Sequence, residues 1–481
     1  MKSVLMIAYY FPPEGSAGAY RPLRFVRHLS KKGWHTSVIT ANPYRYERYD
    51  PDLLGLLPSE TEIVRVRGHD GWQAIQGWRA QRIQERLSGA SGETADEIHA
   101  AHSKSFRSTI RRTIQTIAAC YYQPDMAKHW VRPAVEATVK VCSCKRPKVI
   151  WASAGPVSAW VVAQQASKKT GVPYVLDLRD PHGLMSCYEL EVQPPTWVKH
   201  RLKRTMYRLF KGAQSVVFLF DAVAESYCRA FSGALDPFKI HIIPNGYEGT
   251  TEEFVPSNGN KFTILYTGVL ASYRYDTLLK ALLILKKSDP AKARTLRFVF
   301  IGEGMDELAK EAARFGLSDI VETMGPISQV EITRLQREAH AFLVLGRPST
   351  VKGHELFAGA KLFGYLKARR PIFGVLPQDE TKKILDRVGV STVANVDAPP
   401  EIVAILRQLW DAWSEGNLRS FLPDRARCEL YSAERQTAAL VRALEGAPAA
   451  EPFVPGSVEI PPSLQEEMVV NGGRLSTLRW T

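Results

Sequence analysis

Two stretches of this sequence combine residue types that act on phosphates or hydroxyl groups. The first is Pro12-Pro13-Glu14-Gly15-Ser16-Ala17-Gly18, which follows the apolar run Val4 to Phe11. Glycines in such a loop let backbone N–H groups and the next helix N-terminus approach a diphosphate without Cβ interference. An ordinary tight turn uses the same residues. The second is Arg179-Asp180, at the end of the apolar run Tyr174 to Leu178. Emerging from a buried strand, this pair is the candidate catalytic group: Asp180 can accept or orient an acceptor hydroxyl, or it can pair with Arg179 or cap a helix. His182 is a second, weaker candidate beside it.

Other chemistries are excluded by what is missing. The first loop is not Gly-x-Gly-x-x-Gly and carries no Gly-Lys-Ser/Thr, so nicotinamide, flavin and P-loop sites are not indicated. No Gly-x-Ser-x-Gly occurs, which removes the serine hydrolases that use that elbow. Asp50-Pro51-Asp52 has the form of a metal-binding D-x-D, but it sits in the polar loop YERYDPDLLG and not after a core strand. The six cysteines include no C-x-x-C pair, so free thiols are expected and no metal site; no cofactor is expected either.

The elements that must position these residues repeat a β-loop-α-β unit. Residues 2–9 read as a strand, 21–32 as a helix and 34–40 as the next strand. Strand 149–153, helix 158–170 and strand 174–178 repeat the unit, and 213–220, a helix from Asp221, and 239–243 repeat it again. The rhythm restarts after a polar stretch, 248–260, that reads as a linker: strands at 262–267, 296–301, 320–323 and 341–345 alternate with helices at 277–287, 306–315 and 329–339. Such alternation gives α/β domains with parallel sheets. Between residues 71 and 141 lies an Arg-rich helical insertion, and from 446 to 481 a Pro-rich, aperiodic tail reads as disordered.

The chain has 481 residues, 45% of them hydrophobic and 23% charged, as expected of a globular protein with about two or three domains. No run reaches the roughly 18 apolar residues of a membrane span, and the N-terminus reads as a strand and not as a signal peptide, so a cytoplasmic location is expected. The net charge of +14 favours anionic partners. It is concentrated in WVKHRLKRTMYRLFKG, 197–212, with six Lys/Arg, no acid, and Val198, Leu202, Met206, Leu209 and Phe210 near helical spacing. This basic amphipathic helix fits peripheral contact with an anionic membrane, such as the inner face of the plasma membrane, or an ordinary solvated surface. No nucleic-acid module is found.

Several ordered strings then resemble glycosyltransferase family 4, in a bacterial surface-polysaccharide branch. YYFPPEGSAGAYRPLRFVRHLSKKGWHTSVIT is similar to the family's opening, Trp151 to Pro156 with GVPYVLDLRDP to its "P-x-V-x-D-x-R-D" string, IPNGYE to its "I-x-N-G-Y-D", YTGVL to its "Y-T-G-x-L", and AKLFGYLKARRPIFGV to its "K-L-x-E-Y-L" segment. The match runs from about residue 2 to about 410. The resemblance implies a GT-B fold, with two Rossmann-like domains facing each other across a cleft: 1–245 for the acceptor and 246–445 for the donor, with the last helix (402–413 or 433–444) returning to the first domain. It implies a retaining glycosyltransferase that works without a metal ion, on a UDP- or GDP-sugar donor and a glycan or lipid-linked acceptor.

Carried onto this sequence, the family's pattern gives Gly15, Ser16, Gly18, Asn245, Gly268, Arg274, Glu355 and Lys361 as donor-binding residues. Three departures stand out. The glutamate that meets the donor ribose falls at Gly364, the diphosphate-binding arginine at Val269, and Arg179 replaces the usual histidine before Asp180. These departures support a second reading, a GT-B-like binding or assembly subunit without transfer activity.

Overall fold

The computed structural model describes residues 2–42, 46, 48–68, 120–121, 123–179, 195–257, 259–270, 273–347, 356, 358–451 and 453–454. Most of the expected insertion at 71–141, together with Asp180, His182, Glu355 and the tail after 454, lies outside the described residues.

Short runs rich in Val, Ile, Leu and aromatics form seven strands in the first half of the chain: β1 (Lys2–Ala8), β2 (Trp34–Ala41), β3 (Glu62–Val66), β4 (Val149–Ser153), β5 (Tyr174–Leu178), β6 (Ser215–Phe218) and β7 (Ile240–Ile242). Six more follow: β8 (Phe262–Thr267), β9 (Leu296–Ile301), β10 (Val321–Met324), β11 (Ala341–Leu345), β12 (Ile372–Leu376) and β13 (Val393–Asn395). They assemble into two wholly parallel sheets, ordered β3-β2-β1-β4-β5-β6-β7 and β10-β9-β8-β11-β12-β13. Every residue of β4, β5, β6, β11 and β12 is buried, as a sheet covered by helices on both faces requires. In each sheet the strand order reverses once, between β1 and β4 and between β8 and β11. Loops leaving the carboxyl ends of two such strands diverge and open a crevice there, where parallel α/β sheets bind ligands.

The described residues of Met1–Ile243 and Thr437–Val458 form one compact unit, and those of Pro244–Gln436 belong to the other. Two expectations change. The polar stretch 248–260 is not a free linker: Phe254 is buried in the second unit's core, Glu252 donates its N–H to Lys367 O, and Tyr247 bridges Ser432. Its polar composition hides one aromatic anchor, so the boundary falls earlier, at Ile243/Pro244. The segment 246–445 is also not a single domain, because the helix Ala433–Leu444 places Leu440, Ala443 and Leu444 in the core built around β1, β4 and β5. The helix 402–413 of the sequence reading becomes Pro399–Ser414 and stays in the second unit's core through Ile402, Leu406 and Leu409.

Among the described residues no helix is long and apolar enough to cross a membrane. The helix Thr196–Gly212 forms as expected, but Val198, Met206, Leu209 and Phe210 are buried, Phe210 against Trp160, Tyr227 and Phe231. Its apolar stripe is thus used by the protein's own core. The surface it presents carries Arg201, Arg204, Arg208 and Lys211 with Trp197 (54% exposed) and Tyr207 (36% exposed).

Candidate functional site

In the first unit the candidate residues collect at the carboxyl ends of β1, β4 and β5. Glu14, buried in the loop after β1, accepts from Ser16 N–H and Arg48 N–H, both at 3.1 Å. Gly15 donates to Arg48 O, and Asp50 N–H donates to Pro13 O. The loop is therefore clamped by residues 48–50, and Asp50-Pro51-Asp52 opens a 3-10 turn, Pro51–Leu56, in that clamp. The Ser16 amide that the sequence offered to an external anion already meets a carboxylate of the chain.

Gly18 lies in the first turn of the helix Ala17–Lys31, beneath Arg179. A Cβ at Gly18 would come within 2.7 Å of Arg179 Nη1, so the glycine lets the guanidinium lie close against the helix, and a larger residue would make it shift. Arg179 follows β5, reaches back over Gly155, donates from Nε to Ala154 O, and stands 5.8 Å from the Tyr10 ring. The structure thus brings Gly18 and Arg179 together at the point where the strand order reverses, with Gly15 and Ser16 in the same loop.

Beneath them is a pair that sequence reasoning missed. Asp177, fully buried in β5, accepts from Arg21 Nε at 3.0 Å and Arg21 Nη2 at 2.8 Å, and from Ser153 Oγ at 3.1 Å. Arg21 Nη2 also donates to Ile243 O at 2.9 Å, tying the first helix to the chain where it leaves the unit. An arginine in a helix and an aspartate inside an apolar strand 156 residues apart gave no linear signal.

In the second unit the loops after β8 and β11 and the start of the helix Lys361–Ala368 converge. Tyr365 fixes that helix: its hydroxyl accepts from Thr267 N–H at 2.9 Å, and its ring stacks on Phe342 at 4.4 Å. Lys361 is thereby laid across Gly268, where a Cβ would come within 2.6 Å of Nζ. Gly268 also has φ +118°, which favours glycine. Lys361 Nζ donates to Tyr266 Oη at 2.8 Å and lies 4.1 Å from the Tyr266 ring centroid and 4.9 Å from that of Tyr273. Tyr266 in turn donates to Val269 O. Burial, and then the like charge of Arg347, push the Lys361 ammonium down to about 7.

Arg347 was also missed. It follows Gly346 at the end of β11, and its guanidinium carbon is 5.3 Å from the Tyr273 centroid. Arg274 stands close in the chain fold, its N–H donating to Gly346 O at 3.0 Å, but its side chain is directed to acids. It pairs with Asp276 and Asp397 and donates to Thr277 Oγ1, and Asp276 first, then Asp397, hold it more firmly charged. Asn245 is half-buried at the start of the second unit, ahead of the Tyr247 bridge, and Val269 is half-exposed. Gly364 is exposed on the helix that bears Lys361, and among the described residues no atom outside that helix's own backbone lies within 4 Å of where a Cβ would stand.

Residues 17–246 match the family model of the glycosyl transferase 4-like domain. No curated protein matches in sequence. Among solved structures, sucrose-phosphate synthase from Thermosynechococcus elongatus is 9% identical with a TM-score of 0.55, covering 92% of this chain and 98% of its own. A glycosyltransferase from Rickettsia africae is 11% identical with a TM-score of 0.56 over 92% and 98%. A single-residue mutant of TarM from S. aureus, in complex with Fondaparinux, alpha-GlcNAc-glycerol and UDP, is 10% identical with a TM-score of 0.51 over 92% and 100%. Together with the two parallel sheets of seven and six strands, these likenesses show the GT-B fold, and residues 17–246 are similar to the glycosyl transferase 4-like domain.

Proposed function

We propose that the protein moves a sugar from a UDP- or GDP-linked donor to a glycan or lipid-linked acceptor, with retention of anomeric configuration, in the synthesis of a cell-surface polysaccharide. The observation that carries this reading is Lys361, held over Gly268 between two tyrosine rings where the second sheet reverses its strand order. A half-buried ammonium in such a crevice gains from an anion that offsets its desolvation. UDP in the TarM complex supports a nucleoside diphosphate as that anion. In the transfer the bond from the anomeric carbon to the diphosphate oxygen breaks and leaves its electron pair on that oxygen. The acceptor oxygen bonds to the same carbon, and its proton passes to water. Charge grows on the diphosphate as this happens, and fixed cations stabilise it. In the same reading Asp180, which lies outside the described residues, orients the acceptor hydroxyl, and the first unit takes up the acceptor.

A panel of UDP-, GDP-, dTDP- and ADP-sugars tested by thermal unfolding checks the reading. A true donor at 100 times its dissociation constant stabilises by about 2.7 kcal/mol and raises Tm visibly. If no member of the panel shifts Tm, the donor assignment is wrong.

The protein is further read as working in the cytoplasm against the inner face of the plasma membrane, through the exposed face of Thr196–Gly212. Each cation near an anionic leaflet contributes roughly 1 kcal/mol, screened over a Debye length of about 8 Å at physiological salt. Because the apolar stripe faces inward and Trp197 and Tyr207 are the large apolar groups exposed beside the cations, attraction should be mainly electrostatic, and binding to anionic vesicles should weaken steeply as salt rises. Arg201→Glu, Arg204→Glu and Arg208→Glu together should abolish vesicle co-sedimentation at low salt. Equal pelleting of this variant and wild type would return the helix to an ordinary solvated surface.

A further inference from the structure

We propose that Arg347 is the second cation of the donor site and that, with Lys361, it holds the diphosphate of the nucleotide-sugar, while Arg274 serves the fold. The proposal rests on the donor reading above and names a residue that neither composition nor motif suggested. Its basis is placement. β8 and β11 are the two strands that flank the reversal of order in the second sheet, and Arg347 leaves β11 two residues after its end. Lys361 lies against Gly268, the first residue after β8. The two cations share one aromatic surface: Tyr273 has Lys361 Nζ at 4.9 Å and Arg347 Cζ at 5.3 Å from its centroid.

Two like charges drawn to one ring repel, and among the described residues neither meets a carboxylate within ion-pair distance. Burial first, and then the like charge of Arg347, depress the basicity of Lys361, so the repulsion is the lesser of the two causes. A ligand with two adjacent phosphates relieves it by giving each cation its own partner. Arginine suits this role because its planar fork can donate to two phosphate oxygens at once. Arg274 differs in one respect that decides the matter: Asp276 and Asp397 already meet its charge, so a phosphate would have to compete with two carboxylates.

Calorimetry with inorganic pyrophosphate, UDP and GDP tests the assignment on the full chain. Arg347→Ala and Arg347→Gln should each weaken wild-type binding by about tenfold to a hundredfold, the scale of a hydrogen bond to a charged group, with Tm unchanged. Arg274→Ala should stay within about threefold of wild type. A second readout separates contact from mere support. With Arg347 gone, Lys361 regains basicity, so the proton uptake that accompanies anion binding near pH 7.5 should shrink in buffers of different ionisation enthalpy. If both Arg347 variants bind pyrophosphate and the diphosphates as wild type does, the proposal is overturned. Wild type that binds pyrophosphate but neither nucleotide overturns the donor reading while the variants still decide the anion role. Wild type that binds none of the three overturns both.

Discussion

Affinity for the nucleotide-sugar will fall as pH rises through 7, and Lys361→Arg will remove most of that dependence. A nucleotide-sugar is the right probe because both of its phosphates are diesters whose charge is constant in this range. In the unliganded protein Lys361 loses its proton near pH 7, for reasons of burial and of Arg347. The ligand binds the charged form, so below about 7 the site is ready. Above it, each further unit costs up to tenfold in affinity until the raised value of the complex is reached. Lys361→Ala should cost about tenfold to a hundredfold at pH 6.5, less at pH 8.5, where wild type has already lost part of its advantage. Calorimetry across pH 6 to 9 reads both effects. A flat wild-type profile would place Lys361 outside the diphosphate site. The same depression has a consequence without ligand. The unfolded chain keeps this proton up to the ordinary lysine value, so the contribution of Lys361 to stability improves as pH rises from about 7 toward that value.

Asp177→Ala will destabilise the chain by about 3–5 kcal/mol, because it removes the carboxylate that the buried Arg21 guanidinium meets through two hydrogen bonds. Arg21 is 4% exposed and Asp177 0%, so bulk solvent does not reach the pair to screen the change. Ser153 Oγ would lose its acceptor in the same step. The double variant Arg21→Met with Asp177→Leu should recover much of that loss, since a buried ion pair replaced by apolar groups of similar volume is often neutral. Urea unfolding of the full chain, followed through its first transition, measures the three proteins. An Asp177→Ala protein within about 1 kcal/mol of wild type would mean that the pair contributes little to the fold.

Strands were legible where burial on both faces makes them uniformly apolar. VIWAS, YVLDL and AFLVL were read with their ends correct. EIVRV was not read, because β3 is an edge strand in which only Val66 is buried and the rest alternates with charge. The basic helix was legible as a helix but not in its orientation. The same period of Val198, Met206 and Leu209 serves lipid and core alike, and only the packing of Phe210 on Trp160 and Tyr227 decides between them.

In the site, Lys361 and Gly268 were legible through motifs and prove to be in contact. Arg274 was chosen by linear spacing from Gly268, which cannot show that Asp397 comes to meet it from beyond β13. Arg347 was invisible for the complementary reason. Fourteen residues separate it from Lys361 in the chain, and only the pairing of β11 beside β8 turns that separation into neighbourhood around Tyr273. Arg21 and Asp177 were hidden because a charge inside an apolar strand looks like a flaw until its partner is known.

The helix Ala433–Leu444 sets an order on biosynthesis. The core around β1, β4 and β5 includes Leu440, Ala443 and Leu444, so the part of the protein made first lacks three of its core residues until almost all of the chain has left the ribosome. The whole of Pro244–Gln436 is translated in between. At the usual 5–20 residues per second that interval is roughly 10–40 s. Through that time the nascent first unit lacks the apolar cover that Leu440, Ala443 and Leu444 supply, so its core closes only after the second unit's residues have been made.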